Sequence, residues 1–529
     1  MARSAGHPLA LARFKSRTAA AGWGRPNTLP LDPRSPTAAP LSAFEHHLLA
    51  PRGRGRLSEA PHAGAAGGAA CGDLVRVAVR VSGDRVAEAG FDARGCGAAF
   101  AAGSAAVELV SGAPLLEAAR VDAERLAAAL GGLAPSKRHA ATLAADALHR
   151  ALGHAAASSD AQLQASERRT LVAMSGGVDS AVAAHLARER GDDVVAVTLE
   201  LWSDAANDGE RSCCSPQAVA GARSLAHAIG LPHLTLDLRE RFRREVVENF
   251  VREHAAGRTP NPCVRCNGLV RFDEMLALAG RLGAARLATG HYARVDRDKH
   301  GPLLASASDA RKDQTYMLAR LRPEELERLD FPLAALPKDE VRELARGAGL
   351  AVADRAESQD LCFLAGVGKR GFLRRHGGAP AAGDGEGASR ARGEIVSVGG
   401  EVLGHHDGHE RFTIGQRRGL GVAAPEPLYV VDKDPERDRV TVGPRAALAT
   451  TRFGLSDGLL HRPAASVDRV KLRYRSAPVA CHVEGDLPAG SHERMSLTVD
   501  APVDAPAPGQ VACLMSGERV VGWATIAPR

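Results

Sequence analysis

Residues 171–180 read LVAMSGGVDS, and no other stretch constrains the fold of this chain as much. The apolar run Leu171-Val172-Ala173-Met174 has the length of a short buried strand. Ser175-Gly176-Gly177 reads as a turn, and Ala181 to Arg190 has helical spacing. Strand, glycine turn and helix N-terminus in that order make one unit of a parallel α/β sheet. The geometry aims free backbone N–H groups and the positive end of a helix dipole at one point, a place for an anion. Ser175 and Ser180 add hydroxyls, and Gly176 and Gly177 leave room for phosphate oxygens beside the backbone. No lysine follows the glycines, which excludes the G-x-x-x-x-G-K-[ST] loop that clasps β and γ phosphates.

The rest of the chain arranges itself around that unit. Its 529 residues give room for three or four domains. From Thr170 strand and helix alternate, with Leu171–Met174, Val194–Leu199 and Leu234–Leu238 as strands. Upstream, a strand pair, Leu74–Val81 and Arg85–Asp92, flanks the turn Ser82-Gly83-Asp84. Helical spacing follows from Gly97 to about Ser111 and through Arg138–Leu152. Beyond Gly393 short strands alternate with Gly and Pro turns, as in all-β domains. The expected fold class is multidomain α/β: a doubly wound parallel-sheet domain, C-terminal β-barrel domains and an N-terminal α+β domain. Expected boundaries are a disordered extension at 1–43, the α+β domain at 44–152 and a linker at 153–168. The parallel-sheet domain follows at 169–367, then a small central domain at 368–450 with a low-complexity loop at 377–392, and a β-barrel at 451–529.

Composition narrows the setting. The net charge of +6 permits a nucleic-acid partner without requiring one. Arginine is clustered at 239, 241, 243, 244, 252, 258, 265 and 271, which reads equally as a nucleic-acid patch or a solvated face. No apolar run is long enough to span a membrane. Residues 1–43 carry no acidic residue before Asp32, a composition shared with organelle transit peptides. A disordered extension or an upstream start codon explains it as well and is preferred. A cytoplasmic protein is expected, and nine cysteines in a reducing compartment point to metal or redox chemistry.

Cys263 and Cys266 form a CxxC in RTPNPCVRCNGLVRF, and Cys362 lies far off in AESQDLCFL. Asn267 reads as the N-cap of a helix running to about Leu282, which would put Cys266 at a helix N-terminus where its thiolate is favoured. Zinc, cluster and redox uses all fit a lone CxxC, and the absence of a second one weakens a four-cysteine zinc site. Cys213, Cys214, Cys481 and Cys513 read as inert.

SGGVDS at 175–180 resembles the pyrophosphate loop of ATP-dependent adenylating enzymes. With it, in order, stand GRTPNPCVRCN at 257–267, ATGHYAR at 288–294, KDQTYML at 312–318, SQDLCFL at 358–364, GHHDGHERFTIGQRRGLG at 404–421 and LRYRS at 472–476. From about Leu171 onward the chain resembles the tRNA-specific 2-thiouridylases. That resemblance implies adenylation of the C2 oxygen of the wobble uridine and its replacement by sulfur. It casts Cys362 as the persulfide carrier and Cys266 as the partner thiol, with a Cys266–Cys362 disulfide closing the cycle. It implies ATP with Mg2+ bound by Ala173, Met174, Ser175, Gly176, Gly177, Val178, Asp179 and Ser180, bordered by Leu199 and Gly290. It implies a target-base pocket at Asn261, Pro262 and Cys263, and tRNA contacts from Lys312, Asp313, Gln314, Arg473 and Tyr474, supported by His291 and Gln510. Some members carry Asp where Cys263 stands. Cys263, Cys266 and Cys362 could instead hold a [4Fe–4S] cluster with one open iron, so persulfide and cluster routes both stay open.

Residues 44–155 resemble the U-type iron–sulfur scaffolds through FEHHLLAPRGRG at 44–55, ACGD at 70–73, ARGCGAAFAAGSAAVELVSG at 93–112 and KRHAATLAADALHRAL at 137–152. Cys71, Asp73, Cys96 and His139 match that family's ligands, while Ala140 replaces its third cysteine. Two Cys, one Asp and one His suffice for zinc or a [2Fe–2S] cluster; a module kept for stability or docking is the alternative. The expected partners are tRNA and a sulfur-donor protein, a cysteine desulfurase or a sulfur relay protein, with no membrane. The competing functions are another adenylating synthetase acting on a small molecule and a non-catalytic iron–sulfur or sulfur carrier.

Overall fold

The computed structural model describes residues 41–68, 72–203, 216–355, 361–376 and 392–528. Cys71, Cys213, Cys214, residues 1–40 and most of the low-complexity loop lie outside the described residues.

The described part of the N-terminal module starts with a capped helix. Ser42 Oγ accepts from the Glu45 amide, and the Glu45 carboxylate accepts from the Ser42 amide, so α1 (Ala43–Leu49) begins inside the segment read as an extension. β1 (His62–Gly67), β2 (Leu74–Ser82) and β3 (Arg85–Arg94) form an antiparallel sheet. β1 has no apolar alternation to announce it. Its small residues instead let a helix lie against it. α2 (Gly97–Val110), the short α3 (Leu115–Ala118) and α4 (Ala123–Ala129), and α5 (Arg138–Ala156) complete the module.

The parallel sheet has the order β10-β7-β4-β5-β6. Its strands are β4 (Ser166–Ala173), β5 (Asp193–Glu200), β6 (His233–Asp237), β7 (Ala284–Thr289) and β10 (Leu329–Asp330). All four pairings are parallel. Alternate residues of β4 face two layers. Leu171 joins one apolar cluster with α5 and the helices of residues 239–281, and Val172 joins another with α6 (Val178–Glu189), α7 (Pro216–Ala228) and α14 (Lys338–Gly347). From β4 the chain builds outward to β5 and β6, then returns to β7. The switch point therefore lies between β4 and β7, where ligands bind open α/β sheets.

The segment read as a linker is structured at both ends: α5 runs on to Ala156, and β4 begins at Ser166. The physical reason is that α5 packs on the edge strand β6. A Cβ on Gly153 would stand 1.7 Å from the Thr235 carbonyl oxygen, so only glycine permits this approach. His149 sits 2.9 Å from the carbonyls of both His233 and Val121. Arg150 and Arg223 reach across to Glu200 and Asp146. The module's core continues into the parallel-sheet domain as one apolar cluster.

Between the strands run α8 (Arg239–Phe242), α9 (Glu248–Ala255), α10 (Pro262–Cys266) and α11 (Phe272–Arg281). π-helical turns at Arg243–Val247 and Asn267–Arg271 make these runs continuous. β8 (Arg294–Asp298) and β9 (Gly301–Ala305) leave the parallel-sheet domain and join a barrel built by β15 (Ala449–Leu460), β16 (Arg469–Lys471), β17 (Val479–Val483), β18 (Gly490–Asp504), β19 (Val511–Ser516) and β20 (Arg519–Ile526). The β15–β20 pairing closes it. α12 (Thr315–Leu318), α13 (Pro323–Leu326) and α15 (Gly368–His376) lie between these parts. The central domain is a four-stranded sheet of β11 (Gly393–Ser397), β12 (Val402–His406), β13 (Tyr429–Asp434) and β14 (Arg439–Gly443). Among the described residues no helix is long and apolar enough to cross a membrane.

Candidate active site and its cysteine loops

A cleft of about 210 Å3 opens at the switch point. Ala173, Met174, Ser175, Asp179 and Ser180 line one side, Thr289, Gly290 and His291 another, with Thr198, Leu199 and Leu201 from the end of β5. Gly177 is the N-cap of α6 and offers no side-chain cap, so the first amides of the helix are left for a ligand. Ser180 Oγ donates to the Gly177 carbonyl and accepts from the Ser175 amide, holding the turn closed. A Cβ on Gly290 would meet Asp179 and Ser180 backbone atoms at 2.7 Å, so the close approach of β7 to α6 requires glycine.

Three residues that sequence reasoning passed over fix this loop. Lys338 Nζ, nearly buried at the start of α14, lies 2.5 Å from Asp179 Oδ1. Tyr292 OH donates to the same oxygen at 2.9 Å. Arg355 donates to the Gly176 carbonyl at 2.9 Å. The tyrosine stands inside ATGHYAR. Lys338 lies in no recognisable pattern, and its sequence separation hid it. His291 faces the cleft; burial and the Arg271 guanidinium push its pKa down to about 3, so the ring is neutral.

The cysteine loop differs from the sequence expectation in its cap. Asn261, not Asn267, caps the helix: its side chain accepts from the Cys263 and Val264 amides, with Pro262 in the first turn. The helix thus begins at Pro262 with Cys263 in its first turn, and Cys266 is a turn inside and buried. Asn267 is interior and donates to the Met317 carbonyl. The helical run from Pro262 passes without a break to Arg271 and Met275, two walls of the cleft. Cys266 lies about 7 Å of helix rise from Arg271. Cys362 is half-buried against the same apolar cluster that contains Cys266. Its neighbour Phe363 packs edge-on against Phe242 and Phe250, and against Trp202 next to cleft-lining Leu201.

The residues expected to touch RNA divide. Arg473 is exposed, and Tyr474 is half-buried against the core. Lys312 is half-buried. Asp313 is buried with Lys471 at 2.8 Å and accepts from Thr315, so its carboxylate is committed inside the protein. Gln314 lines the same cleft and accepts from the Tyr292 amide. Gln510 donates to the Thr259 carbonyl at 2.6 Å, tying the cysteine loop to the barrel. Tyr316, fully buried, donates to the Val511 carbonyl and bonds the Asn261 side chain, so it holds the loop from behind. Six of the eight clustered arginines have a carboxylate partner: Arg239 has Asp237, Arg241 has Asp273 and Glu274, Arg243 has Glu240, Arg258 has Glu253, and both Arg244 and Arg265 have Glu245.

In the N-terminal module Asp73, Cys96 and His139 bring ligand atoms within 4.8 Å of one another. Asp73 Oδ1 accepts from the Cys96 amide at 2.8 Å. Oδ2 lies 3.1 Å from Cys96 Sγ and 2.8 Å from His139 Nε2. One oxygen, one sulfur and one nitrogen ligand in this arrangement fit zinc. Ala140 is fully buried behind His139. Cys263, Cys266 and Cys362 form no comparable single-ion group among the described residues.

Four family models match in turn: the NifU-like N terminal domain over 43–160, the tRNA methyl transferase HUP domain over 168–366, its PRC-barrel domain over 386–444, and the aminomethyltransferase beta-barrel domain over 462–526. A bifunctional protein NifU/MnmA of Rubrobacter xylanophilus is 45% identical over 496 residues, 91% of this chain and 97% of that protein. The chain belongs to the bifunctional NifU/MnmA family. A tRNA-specific 2-thiouridylase MnmA of Geobacter metallireducens is 42% identical over 67% of this chain and 95% of its own length. Among solved structures, the U34-tRNA thiolase NcsA from Methanococcus maripaludis covers 37% of this chain and 61% of its own, at 19% identity and a TM-score of 0.25. The NifU/MnmA assignment accounts for both halves of the molecule and for the expected multidomain α/β architecture.

Proposed function

We propose that the chain is an ATP-dependent tRNA 2-thiouridylase, a sulfurtransferase, acting in the cytoplasm. The observation that carries this reading is the cleft at the β4–β7 switch point, whose wall continues without a break into the helix bearing Cys263 and Cys266. A uridine C2 oxygen is a poor leaving group. Its attack on the α-phosphate of ATP expels pyrophosphate and leaves AMP on that oxygen, which C2 can then expel. The Ser175–Ser180 loop and the open amides of α6 are suited to the departing pyrophosphate.

The sulfur route uses two thiols, Cys266 and Cys362, that both pack on the large apolar cluster. A persulfide on Cys362, loaded by a sulfur-donor protein, attacks C2 through its terminal sulfur and displaces AMP. The Cys266 thiolate then attacks Cys362 Sγ, releasing 2-thiouridine and leaving a disulfide, which a cellular thiol reduces. Asn261, Pro262 and Cys263 are the pocket for the flipped base, which leaves the anticodon stack to react. The Asp73–Cys96–His139 group would hold zinc, an ion that supplies Lewis acidity and fixes thiolate ligands.

Pyrophosphate release tests the reading. Release that demands unmodified tRNA supports it. Release with a small molecule alone transfers the chain to the synthetases. No release under reducing, anaerobic conditions leaves only a carrier role.

A further inference from the structure

GHHDGHERFTIGQRRGLG at 404–421 matches the family but has no role in the chemistry above. In the structure this stretch docks the central domain on the catalytic one. His409 Nε2 lies 3.1 Å from the Ala255 carbonyl at the end of α9, and its Nδ1 lies 2.9 Å from Asp438. The turn that follows gathers two lysines from different elements. Lys433 Nζ of β13 donates to the Phe412 carbonyl at 3.0 Å, and Lys369 Nζ of α15 reaches Thr413 Oγ1 at 3.5 Å. Neighbouring residues of one loop thus hold both ammonium groups, and among the described residues the oxygens that bind them are neutral.

Asp432 and Asp434 flank Lys433 along β13, and Glu410 stands on the same loop as Phe412 and Thr413. Glu410 and Asp432 are the carboxylates that act on the pair, and neither makes an ion pair with it among the described residues. Beneath them His254 is 1% exposed, and both its ring nitrogens lack a hydrogen-bond partner. Burial and the two lysine charges push its pKa down to about 3; burial and Lys369 push Lys433 down to about 8. Two half-buried ammonium groups with no ion pair among the described residues, beside a buried imidazole with no hydrogen-bond partner, leave bonding capacity that an anionic ligand can satisfy.

The face around this pair is basic and open. α15 reads GKRGFLRRH, with no acidic residue, and exposes Arg370 and Arg374. Its Phe372 packs 4.9 Å from Phe363, the residue after Cys362, which fixes the helix beside the reacting cysteine. At the other end of the loop, Gly415 lies against the Arg473 guanidinium. This contrasts with residues 239–258, where arginines are matched by carboxylates.

We propose that Lys369 and Lys433, on the 412–415 loop, seat a phosphate of the RNA backbone and extend the RNA face from Arg473 toward Cys362. The site rests on the reading of the chain as a tRNA-modifying enzyme. A phosphate group is the chemistry recognised: tetrahedral, anionic, and able to accept from both ammonium groups at once.

The test measures tRNA affinity against potassium chloride concentration for the full-length protein, Lys369→Gln, Lys433→Gln and Lys433→Arg, with inorganic phosphate as a separate probe. Each Gln variant should lower the slope of log affinity against log salt by about one and weaken binding several-fold, while the Arg variant keeps the slope. Unchanged slopes in both Gln variants overturn the proposal. If inorganic phosphate then raises the melting temperature of the parent protein but not of the Gln variants, the site takes free phosphate and the RNA assignment is wrong. If Lys433→Gln fails to fold, Lys369→Gln decides alone. Loss of tRNA binding by the parent protein itself would remove the functional reading, and the seat with it.

Discussion

The molecule holds two groups of chemically able residues, and they are built on opposite principles. The Asp73–Cys96–His139 group is self-satisfied: one carboxylate accepts from a backbone amide and lies within reach of a thiol and an imidazole. The cleft after β4 is held open, with the first amides of α6 uncapped and Asp179 gripped from outside by Lys338 and Tyr292. The first can gain an ion by trading internal hydrogen bonds for metal bonds. The second is organised for a ligand with its own negative charge. They are also joined differently from two tethered domains. α5 runs alongside β6 in the same direction, with His149 at His233 and Gly153 at Thr235. From Gly153 back to His139 the helix runs about 21 Å, away from the strand ends where the cleft lies. Docked in this way, the module's own site lies at the end of α5 far from the cleft, and an indirect effect on thiolation is the expected outcome.

The largest effect that would break this contrast comes from the sulfur carrier. Cys362→Ala should lower 2-thiouridine yield by at least about a thousandfold, read by mass spectrometry of digested tRNA, with tRNA affinity retained. Next, Lys338→Met removes one partner of a mostly buried pair, a loss of about 3 kcal/mol. Pyrophosphate release should fall on the order of a hundredfold, and a normal rate would show that Asp179 needs no outside grip. Gly153→Ala places a methyl group against the Thr235 carbonyl. Overpacking should cost about 1–3 kcal/mol, lowering the melting temperature and exposing 157–165 to protease. Intact docking would remove the account of the interface. Cys96→Ala should cut zinc content while leaving thiolation with excess sulfur donor within about twofold. A large loss would mean that the module serves the cleft directly.

The smallest effect is in acid. The Cys96 amide hydrogen bond holds the Asp73 carboxyl below its ordinary range. A lowered folded value contributes stability that is full above the unfolded pKa of about 3.9 and is lost as pH falls through the folded one. Asp73→Asn should therefore narrow the difference in stability between neutral pH and pH below about 4, measured by urea unfolding.

Local signals carried much of this structure and non-local ones were lost. The strand, glycine turn and helix at 171–190 could be read because each residue type acts on its own neighbours. The helix cap was misplaced by six residues because Asn267 and Asn261 offer the same side chain. Pro262 after Asn261 was the deciding signal. β1 escaped notice because its residues are small, and its reason for being a strand lies in α5. β8 and β9 were hidden because their partner, β20, is more than two hundred residues away. Lys338, Tyr316 and Gln510 act on the site from distant segments, which no spacing rule encodes.

The most direct test of the central claim follows one oxygen atom. Unmodified tRNA carrying 18O at C2 of the target uridine is converted by persulfide-loaded protein, and the released AMP is weighed. Adenylation of that oxygen in the cleft predicts one 18O in the AMP phosphate for each 2-thiouridine formed. Label found in water, with unlabelled AMP, would contradict it.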